Sequence, residues 1–259
     1  MTTRSVGAVA GDAVTLQIDR VHKSFGHNHV LRGLSLEVDE HEVVTLIGPS
    51  GCGKSTVLRC VNLLEPIDSG AIRLDGTDVS WPGYDANEVR RRVGIVFQSF
   101  NLFPHMSVID NITLAPRKVL KLSADEASAK AHELLSRFGL GDRGDDFPDR
   151  LSGGQQQRVA IIRALAMDPD IILFDEITSA LDPELVGEVL DVVRELKDAG
   201  LTMVMATHEM GFAREISTRV VFLDGGVVAE IGPPDQVFSA PREPRTQQFL
   251  RRVTEARRL

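Results

Sequence analysis

The chain has 259 residues, of which 42% are hydrophobic, 25% charged and 5% aromatic. This composition suits one large or two small cores and excludes a disordered, collagenous or disulfide-stapled protein. Asp and Glu (37) outnumber Lys and Arg (29), and the formal charge of −8 opposes nucleic acid and anionic bilayers as main partners, whereas a nucleotide needs only a local positive site.

In chain order, the first dozen residues read as a solvated tail. They lack the apolar stretch of a signal peptide, and no run approaches the about 18 apolar residues of a membrane span, so a cytoplasmic protein is expected. A hairpin or meander is expected between Val14 and Asp78. It is interrupted by the apolar run 43–47, a glycine-rich loop and a helical run over 56–64. Residues 93–97 form a second apolar run. From about Ser99 to Arg150 the strand signal vanishes, and a helix over 124–138 is followed by a polar turn over 139–149. A helix over 159–167, a strand over 171–174, a helix after Asp182-Pro183 ending near Gly200 and a strand over 202–206 come next. A hairpin about Gly225-Gly226 precedes a basic end, Arg251, Arg252, Arg257 and Arg258, read as a tail. Short apolar strands alternating with amphipathic helices predict an α/β fold with a parallel sheet.

Gly48, Pro49, Ser50, Gly51, Cys52, Gly53, Lys54 and Ser55 match G-x-x-x-x-G-K-[ST], directly after a strand and before the helical run that opens at Thr56. Glycines let the backbone curl around phosphate oxygens, and the helix start adds partial positive charge. Lys54 is expected at the β/γ-phosphates and the Ser55 hydroxyl on Mg²⁺. Cys52, beside Lys54 and a helix N-terminus, is expected to have a lowered thiol pKa. The other cysteine, Cys60, gives no metal-ligand spacing with it, and the pair fits a reducing compartment. The run 171–174 ends in Asp175-Glu176, at the sheet edge where α/β proteins place ligands. If strand alternation continues through both residues, Asp175 faces the metal and Glu176 the attacking water.

Leu151, Ser152, Gly153, Gly154 and Gln155, followed by Gln156-Gln157-Arg158, resemble the signature of the ATP-binding cassette (ABC) ATPases, and the resemblance spans essentially the whole chain. Read by residues alone, Ser152 and Gln155 form a capping box at a helix start, which is also an anion site. The resemblance implies a P-loop NTPase (RecA-like) core with an antiparallel β subdomain and an inserted helical subdomain. It divides a single domain, 1–259, into a core of 1–98 and 158–259 and an insert of 99–157. It further implies that Phe25 stacks on adenine, Gln98 senses Mg²⁺ and water, Asp182 lies in a loop crossing a dimer seam and His208 contacts the γ-phosphate. Asp182 is also readable as a helix N-cap. Where the family usually has Pro, this chain has Ile177.

The same resemblance implies a head-to-tail homodimer with each ATP between residues 48–56 of one copy and 152–155 of the other. Mg²⁺, Asp175, Lys54, Glu176 as base and His208 complete the expected site. With no membrane span of its own, the chain is expected on the inner face of the cell membrane, docked to permease subunits through residues 100–106. The segments 206–213, 232–234 and 244–250 resemble the ATPases of polar-amino-acid importers, which also use an extracytoplasmic solute-binding protein; related systems carry solutes such as ectoine. An exporter ATPase and a soluble non-transport ABC ATPase are the alternatives.

Overall fold

Unbroken apolar runs form strands only where both faces are covered, and here the coverings are two separate cores. The computed structural model describes residues 14–256; the first dozen residues, Arg257 and Arg258 lie outside them. The strands are β1 (Val14–Phe25), β2 (Asn28–Asp39), β3 (Val43–Ile47), β4 (Ser69–Leu74), β5 (Thr77–Asp78), β6 (Val93–Val96), β7 (Ile171–Asp175), β8 (Thr202–Ala206), β9 (Arg219–Asp224) and β10 (Val227–Gly232). The helices are α1 (Lys54–Val61), α2 (Ala86–Arg92), α3 (Val108–Lys118), α4 (Ala124–Arg137), α5 (Gly153–Leu165), α6 (Pro183–Asp198), α7 (Met210–Ile216), α8 (Pro234–Ser239) and α9 (Pro244–Ala256).

Six strands form one sheet in the order β10-β9-β3-β8-β7-β6, parallel except for the antiparallel edge strand β10. Every residue of β3, β7 and β8 is buried. The two-residue period of a strand divides them. Val43, Ile172, Phe174, Met203 and Met205 face a core shared with α3, α4, α5, α6 and α7. Val44, Leu46, Ile171, Leu173, Val204 and Ala206 face a second core with α1 and the antiparallel sheet β2-β1-β4-β5. A small third cluster joins Ile47 and Phe222 to Val237 of α8 and Phe249 of α9.

Several boundaries differ from expectation. The helix after the glycine loop opens at Lys54, not Thr56, and closes at Val61, where Leu63 takes a left-handed φ of 54°. The strand expected over 93–97 ends at Val96, and the one expected over 171–174 takes in Asp175. The helix expected from residue 159 begins at Gly153, because its first turn, Gly-Gly-Gln-Gln, has no apolar period to read. Arg251 and Arg252 lie on α9, not in a tail. Between β6 and β7 the described chain is helical or irregular, with α3, α4 and a 3₁₀ turn at Pro148–Arg150. The helix α5 then runs on against β6, across residues 157–158.

Candidate functional site

The central parallel strands β3, β7 and β8 deliver their C-terminal ends to one edge of the sheet, and the loop of residues 48–53 curls off the first of these. At two glycines in that loop a side chain would be strained and crowded. At Gly48 (φ 149°) a Cβ would collide with the Leu223 carbonyl oxygen and lie 2.9 Å from Cys52 Sγ. At Gly53 (φ 109°) it would lie 2.8 Å from a Leu31 methyl. Pro49, through its carbonyl, accepts the Cys52 N–H at 3.2 Å and tightens the turn. The loop is thus packed between the end of β9 and the β1–β2 hairpin.

Lys54 is buried at the start of α1; its Nζ donates to the Gly48 carbonyl at 3.1 Å and lies 3.5 Å from Glu176 Oε1. The Ser55 hydroxyl donates to Asp175 Oδ1 at 2.6 Å, joining residues 120 positions apart in the chain. Arg59, one turn further along α1, stands 3.8 Å from the other carboxylate oxygen. Burial pushes the Asp175 carboxyl above its ordinary range, against the Ser55 hydrogen bond and the Arg59 charge.

Glu176 does not continue the strand. It takes a left-handed φ of 51°, its N–H donates to the Ala206 carbonyl at 3.0 Å, and its Oε1 lies 3.0 Å from His208 Nε2. The two carboxylates therefore part through a backbone turn and not through strand alternation, the expectation from sequence. A non-glycine residue in this region costs about 1–3 kcal/mol, and here it aims Glu176 at Lys54 and His208.

Phe25, Asn28 and Val30 of the β1–β2 hairpin form one wall of a cleft of about 410 Å³. Ser50, Gly51, Gly53, Lys54, Ser55 and Thr56 form its floor, and Glu176 its far side. Asn28 and Val30 are absent from the expected set; their signal is the Gly26 turn that must bring the second hairpin strand back beside Phe25. Arg59 was missed too, although it lies four residues after Ser55 on the same helix.

Cys52 corrects an expectation. It is buried, and burial pushes its thiol up despite the lowering influence of Lys54, because loss of water disfavours a thiolate more than one nearby charge favours it.

Other expected residues lie outside this cleft. Ser152 and Gln155 make the reciprocal capping box: Ser152 Oγ accepts the Gln155 N–H at 3.3 Å, and Gln155 Oε1 accepts the Ser152 N–H at 2.9 Å. A Cβ at Gly153 would lie 3.2 Å from Leu181, and one at Gly154 3.3 Å from Leu185, so this helix start packs against the beginning of α6. Asp182 occupies the N-cap position of α6, but its side chain makes no capping bond, which removes the capping role read from sequence. Gln98 is exposed just past β6, on a loop held by Gln157 Nε2 donating to the Phe97 carbonyl at 3.1 Å. In residues 100–106, Leu102 packs on the core while Phe103 is exposed. Ile177 is buried in the helical-side core.

Magnesium prefers hard oxygen ligands and keeps water and phosphate around it. The Ser55 hydroxyl and Asp175 carboxylate fit that demand, and among the described residues no group of three or more His, Cys, Asp or Glu side chains offers an all-protein cage.

A family model described as ABC transporter matches residues 31–179. The glutamine transport ATP-binding protein of Geobacillus stearothermophilus is 53% identical over 234 residues, spanning 90% of this chain and 97% of that protein. The arginine transport ATP-binding protein of Bacillus subtilis is 51% identical over 238 residues, 92% of this chain and 99% of that one. Among solved structures, the ATP-binding cassette MJ0796, a dimer in a post-hydrolysis state bound to ADP and Pi, superposes with a TM-score of 0.75 at 33% identity. That alignment covers 85% of this chain and 98% of the other.

Proposed function

The chain belongs to the ABC transporter family of ATP-binding proteins, and from that premise we propose that it is the ATPase subunit powering uptake of a polar amino acid or related small solute. The observation that carries the catalytic part is the meeting of Lys54, Glu176 and His208 beside the Ser55–Asp175 pair at the mouth of the glycine loop. The importer reading rests on the relatives, whose names specify glutamine and arginine transport.

In this reading Phe25 stacks on adenine, residues 48–53 wrap the phosphates, and Lys54 neutralises charge on the β/γ-phosphates. Ser55, Asp175 and Gln98 would hold Mg²⁺, which supplies charge stabilisation on the phosphates when bound. Glu176 takes the proton of the attacking water. Its neighbour His208 donates to the γ-phosphate and steadies the developing charge.

The start of α5 lies away from its own cleft, so its N–H groups and Ser152, Gly153, Gly154 and Gln155 serve the nucleotide of a second copy packed head to tail, with Asp182 at the seam. The dimeric ADP-bound neighbour supports this arrangement. The core of 1–98 and 158–259 and the insert of 99–157 then move relative to each other as ATP closes and hydrolysis opens the pair.

Among the described residues no helix is long and apolar enough to cross a membrane. The chain works on the cytoplasmic face, docked through residues 100–106 to integral permease subunits that receive solute from an extracytoplasmic binding protein. Nucleic acid has no part in this reading.

Tagged Glu176→Gln protein tests both halves. It should bind ATP, turn over about 10² to 10⁴ times more slowly, and elute as a closed dimer with ATP. From native membranes it should copurify a polytopic subunit, with a solute-binding protein recovered by crosslinking. Near-normal turnover overturns the role of Glu176. A permease without a binding protein points to an exporter, and soluble partners alone overturn transport.

A further inference from the structure

Alternation along β1 puts Val21, Lys23 and Phe25 on one side of the strand. Val21 is fully buried and Lys23 is only 7% exposed, yet Phe25, at the strand end, is 47% exposed and lines the cleft. The buried ammonium of Lys23 lies 3.5 Å from Glu65 Oε2 and 4.9 Å from the centroid of the Phe25 ring. The strand beneath is tied down separately. The Ser24 N–H donates to Asp68 Oδ2 at 2.7 Å, the Asp68 N–H to the His22 carbonyl at 2.8 Å, and Ser24 Oγ is 2.9 Å from His29 Nδ1.

These contacts fix the backbone of Phe25 but not its ring. A phenyl group has no polar tip for a hydrogen bond to hold, and a half-exposed side chain otherwise samples several rotamers. A cation over one face attracts the ring quadrupole and selects one of them. It also draws electron density toward itself, so the opposite face stacks with less repulsion on another π-system.

We propose that Lys23 is a positioning residue for nucleotide: its ammonium, held by Glu65, grips one face of Phe25 and presents the other as a set platform for the base. The proposal rests on Phe25 being the base platform, so its test separates the two. ATP affinity is measured by calorimetry in the Glu176→Gln background, where hydrolysis is suppressed. The proteins compared carry the native pair, Lys23→Met, Phe25→Ala, both changes, or Lys23→Arg.

Met keeps the length and apolar stem of Lys and removes only the charge. Lys23→Met should weaken ATP about threefold to tenfold, and Lys23→Arg should restore most of the loss, because a guanidinium also stacks on an aromatic face. In the Phe25→Ala background, Lys23→Met should add nothing. Competition by inorganic tripolyphosphate, which has no base, should be the same for the protein with Lys23 and for the Lys23→Met variant. With Glu176 intact, the change should appear in KM and not in kcat.

If Phe25→Ala leaves ATP affinity unchanged, the platform reading falls and the role of Lys23 with it. If Phe25→Ala weakens ATP but Lys23→Met does not, the role of Lys23 alone falls. It falls equally if Lys23→Met costs as much without Phe25, or if it weakens tripolyphosphate, since the cation would then act on phosphate. Should Lys23→Met not fold, Glu65→Gln, which loosens the ammonium without altering β1, must raise KM for ATP; an unchanged KM overturns the proposal.

Discussion

Asp175 sits where burial and chemistry oppose each other. Its carboxyl is pushed up by burial, so the folded chain holds that proton more tightly than the unfolded chain does. Stability from this group is therefore complete below the ordinary carboxylate range and declines as pH rises through the raised pKa. Asp175→Asn keeps an oxygen to accept from Ser55 and removes the buried charge. Its melting temperature should exceed the parent's at pH 7, and the difference should close as the pH falls below about 4. Turnover should drop by about 10²-fold or more, and a variant no more stable than the parent would contradict the cost assigned to the charge. At this scale the glycine loop, Asp175 and Glu176 could be picked out from residue type and spacing, whereas His208 was reached only through the family resemblance. The turn at Glu176 could not, because a left-handed φ on a glutamate has no sequence mark. Nor could the burial of Cys52, which depends on Gly48 and on the end of β9, far away in the chain.

At the level of elements, α9 shows how a helix can escape pattern reading. Its start is held by Glu230 of β10, a buried carboxylate that accepts from the Arg242 N–H at 2.8 Å, the Glu243 N–H at 3.2 Å and Gln236 Nε2 at 2.7 Å. Burial pushes that carboxyl up, but the hydrogen bonds outweigh it and hold it below the ordinary range. Its contribution is thus present at neutral pH and is lost as pH falls through the lowered pKa. Glu230→Ala should cost about 1–3 kcal/mol, measured by urea unfolding. It should speed amide exchange first in α9, whereas uniform exchange along the chain would show that Glu230 does not anchor this helix. The anchor of this Arg-bearing helix lies on another element and so leaves no mark in the helix's own sequence. The start of α5 escaped periodicity for a different reason, its polar first turn, although the capping pair Ser152 and Gln155 marked it. By contrast β3, β7 and β8 were legible because a strand covered on both faces has to be apolar throughout.

For the whole molecule, one sheet serves two cores, and each central strand gives alternate residues to each. Phe174, fully buried on the helical side, points away from the face where Leu173 meets the antiparallel sheet and α1. Phe174→Ala should cost about 3–5 kcal/mol and, since β7 also carries Asp175, weaken ATP binding in the same titration. Loss of stability with unchanged ATP affinity would show that the sheet edge tolerates a cavity beneath it. The α/β class, the antiparallel portion and the helical stretch after residue 99 were readable from alternating patterns. The strand order was not, because nothing local says which strand pairs with which.

That order has a consequence for synthesis. The strand β3, whose five residues are all buried, pairs among the described residues with β8 and β9, made about 160 and about 175 residues later. A ribosome that has just released the glycine loop has therefore produced a phosphate cradle whose supporting strand has no neighbours. The nascent chain must carry that adhesive strand unpaired until β8 and β9 have been made. Chains terminated at Gly200 should accumulate in the insoluble fraction, and chains carried through β9 should not. The cradle that holds phosphate thus gains its structural support from segments made long after it.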